Sequence, residues 1–191
     1  DNDNSTIVTD NGGVYIWGAQ MEANNISSYI PTQGSSVTRN QDLCTGGGTG
    51  AGLINSTEGT LYAEIAGLVD ADNYRMISIN AGNSTNILFV GLRNDTGNVY
   101  FYLINGGITQ ANYISNVNAT NNFTKIALKY KTNDVSFFIN GTKVFTDNTV
   151  TLPTGLNQLD FTYGNSSNSY PFRGKTKALA VWKTALSDQE L

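Results

Sequence analysis

Phe89, Arg93, Tyr100 and Tyr102 fall in two adjacent strand-like runs, NILFVGLR (86–93) and NVYFYLIN (98–105). Flat aromatic faces can stack on a sugar ring, and a guanidinium with nearby amides can hydrogen-bond its hydroxyls. Whether these groups share a face depends on register. If Asn94-Asp-Thr-Gly97 makes an even-numbered turn, Leu92 lies opposite Val99, Val90 opposite Phe101 and Leu88 opposite Leu103, which makes that face the core. The other face then carries Phe89, Gly91 and Arg93 across from Tyr102, Tyr100 and Asn98, an aromatic platform with a gap at glycine. In YRMISIN (74–80), placing Ile77 and Ile79 in the core sends Tyr74, Met76, Ser78 and Asn80 to the platform side. A second candidate is the long loop GNSSNSYPFRG (164–174), with Asn165, Tyr170 and Arg173 at the rim and Phe172 plugging the core edge. The competing reading covers the aromatics with the first forty residues, a loop or a sister subunit, and a one-residue slip would exchange the two faces.

The elements that must position these groups are strands. Twenty glycines against three prolines, 10 % aromatics and an excess of Asn, Ser and Thr favour short strands joined by turns over helices. Ten strand-like runs follow Thr60: TLYAEIAGL, YRMISIN, NILFVGLR, NVYFYLIN, ITQANYI, FTKIALKY, DVSFFIN, TKVFTD, LDFTYG and KTKALAVW. Their regular spacing predicts an all-β antiparallel sandwich or jelly roll. FTKIALKY alternates, with Ile126, Leu128 and Tyr130 inward and Lys125, Ala127 and Lys129 outward. Asn140-Gly141 between two runs predicts a tight hairpin whose turn residues take positive φ. Ser187 and Glu190 have capping-box spacing, so the last residues should form a helical turn.

Charged residues make up 14 % of the chain, roughly half the usual ~25 %. Solubility therefore rests on neutral amides and hydroxyls, which also suit hydrogen bonding to sugars. A net charge of −4 with scattered lysines offers no basic stripe, so no nucleic-acid partner is expected. No apolar run reaches the roughly 20 residues of a membrane helix, so no membrane insertion is expected. With no histidine and a single cysteine, Cys44, neither a His–Cys nucleophile, an intrachain disulfide nor a thiolate metal cluster can form. The glycine-rich stretch LCTGGGTGAGLINST (43–57) lacks the lysine and helix of a phosphate loop and is read as a flexible entry loop. Asn-x-Thr recurs at Asn55, Asn83, Asn118 and Asn140, several of them in strands or tight turns, where glycosylation is not expected.

Two resemblances extend this. FTKIALKYKTNDVSFFINGTKVF and LDFTYGNSSNSYPFRGKTKALAVWKTALSDQEL resemble the C-terminal half of laminin G-like modules in the concanavalin A-like lectin and glucanase superfamily. The carrying positions are Asn140-Gly141, Gly164, Phe172-Arg-Gly174 and Ala185-Leu-Ser187 with Glu190, within a match over roughly residues 58 to 191. YIWGAQMEA and SSYIPTQGSSVTRNQD, in turn, are similar to a segment of phage fibre, spike and tail-associated proteins that closes one β module and tethers the next. Residues 1–42 are accordingly expected to be the end of a preceding β module, with Trp17 as an anchor and Pro31 stiffening the tether, and residues 43–191 a laminin G-like sandwich.

These resemblances imply a function. Such sandwiches commonly bind glycans on a concave sheet face, where the platform residues would lie. The superfamily also includes glycan-cleaving members, but their Glu-x-Asp-x-x-Glu pattern is absent. Glu58 and Glu64 could share a strand face, yet six extended residues separate them by about 20 Å, against the ~5 Å of a retaining pair. Histidine, on which many polysaccharide lyases of similar fold rely, is missing, so no enzyme activity is expected. Some laminin G-like modules hold calcium at the rim, which makes Asp70 and Asp72 in LVDADN the candidate metal ligands; otherwise no cofactor is implied. The expectation is a non-catalytic carbohydrate-recognition module on a virion fibre or spike that binds host surface glycans alongside other virion proteins, as a homotrimer. A capsid-decorating or fibre-joining module, or the carbohydrate-binding module of a secreted polysaccharide-degrading enzyme, are the alternatives.

Overall fold

The computed structural model describes residues 52–68, 73–164 and 169–191. Its strands, in chain order, are β1 (Glu58–Gly67), β2 (Arg75–Asn80), β3 (Ile87–Leu92), β4 (Asn98–Asn105), β5 (Ile108–Asn118), β6 (Thr124–Lys131), β7 (Asp134–Ile139), β8 (Thr142–Asp147), β9 (Gln158–Asp160) and β10 (Gly174–Trp182). They form two antiparallel five-stranded sheets, ordered β10-β1-β6-β7-β8 and β5-β4-β3-β2-β9. The described residues contain no helix, as the composition predicted.

Alternation places the core between the sheets. Leu61, Ala63, Ile65, Ile126, Leu128, Tyr130, Val135 and Phe137 from one sheet meet Ile77, Ile79, Leu88, Val90, Leu92, Val99, Phe101 and Leu103 from the other, all of them fully buried. Phe101 and Phe137 join the layers at 4.8 Å between ring centroids. Each large apolar side chain taken out of water here stabilises the fold by about 1.5–3 kcal/mol.

The turns form as their residues require. Asn140 and Gly141 take φ of 52° and 77° in the two-residue β7–β8 hairpin. The β3–β4 turn closes with the Arg93 N–H donating to the Asn98 carbonyl and the Gly97 N–H to the Arg93 carbonyl, both at 3.0 Å. At three of these Asn-x-Thr sites the pattern has a local cause, while Asn140 Oδ1 instead accepts from the Lys125 N–H at 3.0 Å: Asn55 Oδ1 accepts from the Thr57 N–H at 3.0 Å and Asn83 Oδ1 from Thr85 at 3.0 Å. Asn118 accepts from Thr120 at 2.7 Å, and Asp147 closes the same way on Thr149 at 2.9 Å. These are Asx turns, in which a side chain replaces a backbone acceptor two residues ahead. At the C-terminal end, Glu190 Oε2 accepts from both the Ser187 N–H (2.8 Å) and its hydroxyl (2.7 Å), closing the expected turn.

One outward lysine departs from the alternation reading. Lys129 is only 8 % exposed, because the chain after β10 crosses this sheet face and brings Asp188 to its amine. Asp134 and Asp188 each hold the ammonium at 3.1 Å. Burial pulls its pKa down, and these hydrogen bonds outweigh it, so the net shift is upward.

Candidate functional site

The register between β3 and β4 is the one the alternation demands: Leu92 pairs with Val99, Val90 with Phe101, Leu88 with Leu103, Phe89 with Tyr102 and Gly91 with Tyr100. The platform residues therefore share the outer face of their sheet, together with Met76, Ile87 and Ile104.

Exposure on that face differs from the expectation. Phe89 is 3 % exposed and Tyr100 2 %, so neither offers a ring face for stacking. The gap expected at Gly91 is filled by the Tyr100 ring, which lies 3.1 Å from where a β-carbon at Gly91 would stand. Other rings then close over the pair. Phe89 stacks on Tyr102 at 5.6 Å and 12°, and Tyr163 meets Phe89 edge-on at 5.5 Å. Tyr74 meets Tyr100 at 5.7 Å and Tyr170 at 5.6 Å, while Tyr163 and Tyr170 touch at 6.1 Å. Phe89 and Tyr100 are thus the floor of a layered cluster. Its upper members are half-buried Tyr74, Tyr102 and Tyr163 and exposed Tyr170.

Polar groups of β2 fasten the segment that carries Tyr163. The Ser78 hydroxyl donates to the Thr162 carbonyl at 2.8 Å, and the Asn80 amide to Asp160 Oδ2 at 2.7 Å. Expected on the platform side, both are committed to structure. The Met76 N–H donates to the Tyr170 carbonyl at 3.2 Å, holding Tyr170 with φ of 53°, a left-handed conformation uncommon for a bulky side chain.

Arg93 stands at one edge, its guanidinium 5.9 Å from the Tyr74 ring centre. Asp95 grips it twice, from Nε at 2.9 Å and Nη2 at 2.7 Å. This hydrogen-bonded pairing raises the Arg93 pKa and holds the Asp95 carboxyl well below the usual carboxylate range. At the floor, the buried Tyr100 hydroxyl has no hydrogen-bond partner among the described residues. Burial, and then the neighbouring Tyr74 and Tyr102 phenols, push its pKa up, with Arg93 pulling the other way.

Of the remaining predicted residues, Arg173 sits at the entry to β10, where its carbonyl accepts from the Leu68 N–H at 3.3 Å. Phe172 packs on the main core as expected. Asn165, Asp70, Asp72, Trp17 and Cys44 lie outside the described residues. Three residues of the face were missed: Tyr163, and Asn112 and Ile114 of β5, which pair with Tyr102 and Tyr100. Counting back from Gly106-Gly107 would have put β5 beside β4, but a register shift between Leu103 and Ile104 moves the pairing by one.

The carboxylates weighed for catalysis lie on β1, in the other sheet. Glu64 pairs with Lys177 at 2.8 Å, and Glu58 accepts from the Ala185 N–H at 3.4 Å. Among the described residues, no group of three His, Cys, Asp or Glu side chains converges as a metal site.

A family model described as the concanavalin A-like lectin/glucanases superfamily, of laminin G type, matches residues 47–191. The chain belongs to this superfamily. Solved structures of similar fold include the CBM40 module of a Ruminococcus gnavus IT-sialidase bound to α2,3 sialyllactose. It superposes with a TM-score of 0.57 at 21 % identity, over 72 % of this chain and 82 % of that one. The leech intramolecular trans-sialidase complexed with 2,7-anhydro-Neu5Ac gives 0.56 at 20 % identity, over 72 % of this chain and 23 % of that one. Domains LG4-5 of the mouse laminin α1 chain give 0.51 at 8 % identity, over 70 % and 38 %. At these identities the likeness is one of fold. No curated protein matches the chain in sequence.

Proposed function

We propose that this domain is a non-catalytic carbohydrate-recognition module that binds cell-surface glycans through the outer aromatic cluster of the β5-β4-β3-β2-β9 sheet. The observation that carries the reading is the convergence of the Tyr74, Tyr102, Tyr163 and Tyr170 rings over a packed floor, with Arg93 at the edge. Phenol rings give an apolar face and a hydroxyl at low conformational cost, the combination a sugar needs. A sialidase carbohydrate-binding module of the same fold, bound to sialyllactose, supports a sugar ligand.

The setting we propose is a phage fibre or spike holding the virion on its host, supported by the likeness of residues 13–42 to fibre and tail-associated segments. A trimeric fibre would present several sites, each binding near millimolar, about −4 kcal/mol, with avidity supplying the rest. The second reading, a carbohydrate-binding module of a secreted glycan-degrading enzyme, is favoured by the fold likeness to sialidase modules.

The test is a glycan array probed with the domain displayed on a multivalent carrier. Tyr102→Ala and Tyr74→Ala should each remove most of the signal while the fold stays intact by circular dichroism. Absence of any bound glycan from the multivalent wild type would overturn the reading. Immunogold labelling of intact virions against a secreted fraction separates the two settings.

A further inference from the structure

Among the described residues the buried Tyr100 hydroxyl has no hydrogen-bond partner, whereas buried Tyr130 donates to the Asn55 carbonyl at 3.0 Å. Such groups are rare and call for a reason. Tyr74 and Tyr102 pack on the Tyr100 ring at 5.7 and 5.9 Å between centroids, with Tyr170 against Tyr74 at 5.6 Å and the Arg93 guanidinium 5.9 Å from the Tyr74 ring centre. Tyr170, 41 % exposed, is the most accessible ring of the cluster.

We infer that Tyr100 is a specificity-determining group of the glycan site, and that the site takes an uncharged sugar in preference to an acidic one. This rests on the glycan-binding reading above. A phenol can donate to one sugar hydroxyl and accept from another, and four tyrosines packed ring on ring bring several such groups to one patch, as a sugar with adjacent hydroxyls requires. The charge at the edge is already spent. Arg93 is held bidentate by Asp95, so the pair is close to neutral, and a ligand carboxylate would meet the Asp95 carboxylate beside the guanidinium. A buried phenol offers a carboxylate one hydrogen bond but no compensating charge, so an acidic group pays its desolvation largely uncompensated.

The experiment uses matched neutral and acidic glycans on one array, lactose with α2,3-sialyllactose and a glucose oligomer with its glucuronate counterpart, followed by calorimetry on the best neutral binder. The expected result is a neutral ligand favoured at least tenfold over its acidic partner. Tyr100→Phe should lose roughly fivefold to tenfold on that neutral ligand, the worth of one neutral hydrogen bond, with no fall in melting temperature. Acidic partners bound as well or better, or a Tyr100→Phe variant binding like wild type, would overturn the inference and leave glycan binding standing. No glycan bound at all would overturn both.

Discussion

Tyr100 and Tyr130 allow a paired measurement, since removing one oxygen atom from each should move stability in opposite directions. Both are buried, at 2 % and 0 % exposure, and burial raises the pKa of both phenols. They differ in the hydroxyl: Tyr130 donates to the Asn55 carbonyl at 3.0 Å, whereas Tyr100 has no partner among the described residues. A satisfied hydrogen bond contributes about 0.5–1.5 kcal/mol net, while a buried unpaired polar group costs about 1–3 kcal/mol. Tyr130→Phe should therefore destabilise by about 1 kcal/mol, and Tyr100→Phe should stabilise by about 1 kcal/mol or more. In a domain of this size each kcal/mol moves Tm by about 2–4 °C. Urea denaturation of the three proteins at pH 7, with m-values compared, reads the difference directly. A Tyr100→Phe variant less stable than wild type by more than about 0.5 kcal/mol would refute the reasoning, because the hydroxyl would then be making a favourable interaction in the folded domain.

Other consequences are as specific. Gly91→Ala drives a methyl into the Arg75 carbonyl and against the Tyr100 ring, and should cost about 1–3 kcal/mol in urea denaturation, since backbone cannot give way as a side-chain tip can. Hydrogen bonds from Lys143 and Lys129 depress the Asp188 pKa, so the stability it contributes is present above the carboxyl's unfolded value and lost as pH falls through its lower folded value. Asp188→Asn should remove that part of the acid dependence and cost about 1 kcal/mol at pH 7, since the Lys143 pair is largely exposed and buried Lys129 keeps Asp134, measured by melts from pH 2 to 7. The cluster's shifted groups all move away from neutrality, Arg93, Tyr100 and Tyr163 upward and Asp95 downward, and the chain has no histidine. Glycan affinity measured by calorimetry should accordingly stay flat between pH 5 and about pH 9.

Much of the fold was legible because it depends on local patterns. The runs NVYFYLIN and TKVFTD are strands with the boundaries read from them, and the four-residue turn after Arg93 fixes which side of β3 and β4 faces the core. Exposure of the outer face was not legible. Phe89 is covered by Tyr163, and Tyr74 over Tyr100 is met by Tyr170, rings that arrive some seventy residues later, and no periodicity within β3 or β4 encodes that arrival. The burial of Lys129 has the same origin, since a strand's own alternation cannot report a distant segment laid across it. The missed residues of β5 trace to the shift at Leu103/Ile104, which turns a countable hairpin register into one that must be seen.

The Asx turns separate the loops of this domain into two kinds. Asn55, Asn83, Asn118 and Asp147 each close a turn upon a residue two places on; the Asp147 turn carries its own fastening, whereas those at Asn55 and Asn118 are also tied to distant segments, Asn55 to Tyr130 and Lys183 and Asn118 to Thr96. The segments Phe161–Gly164 and Ser169–Phe172 are sewn instead to Ser78 and Met76 of the sheet beneath them. Lengthening or swapping that region would unpick the floor along with the rings. A lineage, or an engineer, retuning this surface would therefore do so by changing which rings stand on a fixed frame, and would spend its insertions and deletions at the turn that fastens itself.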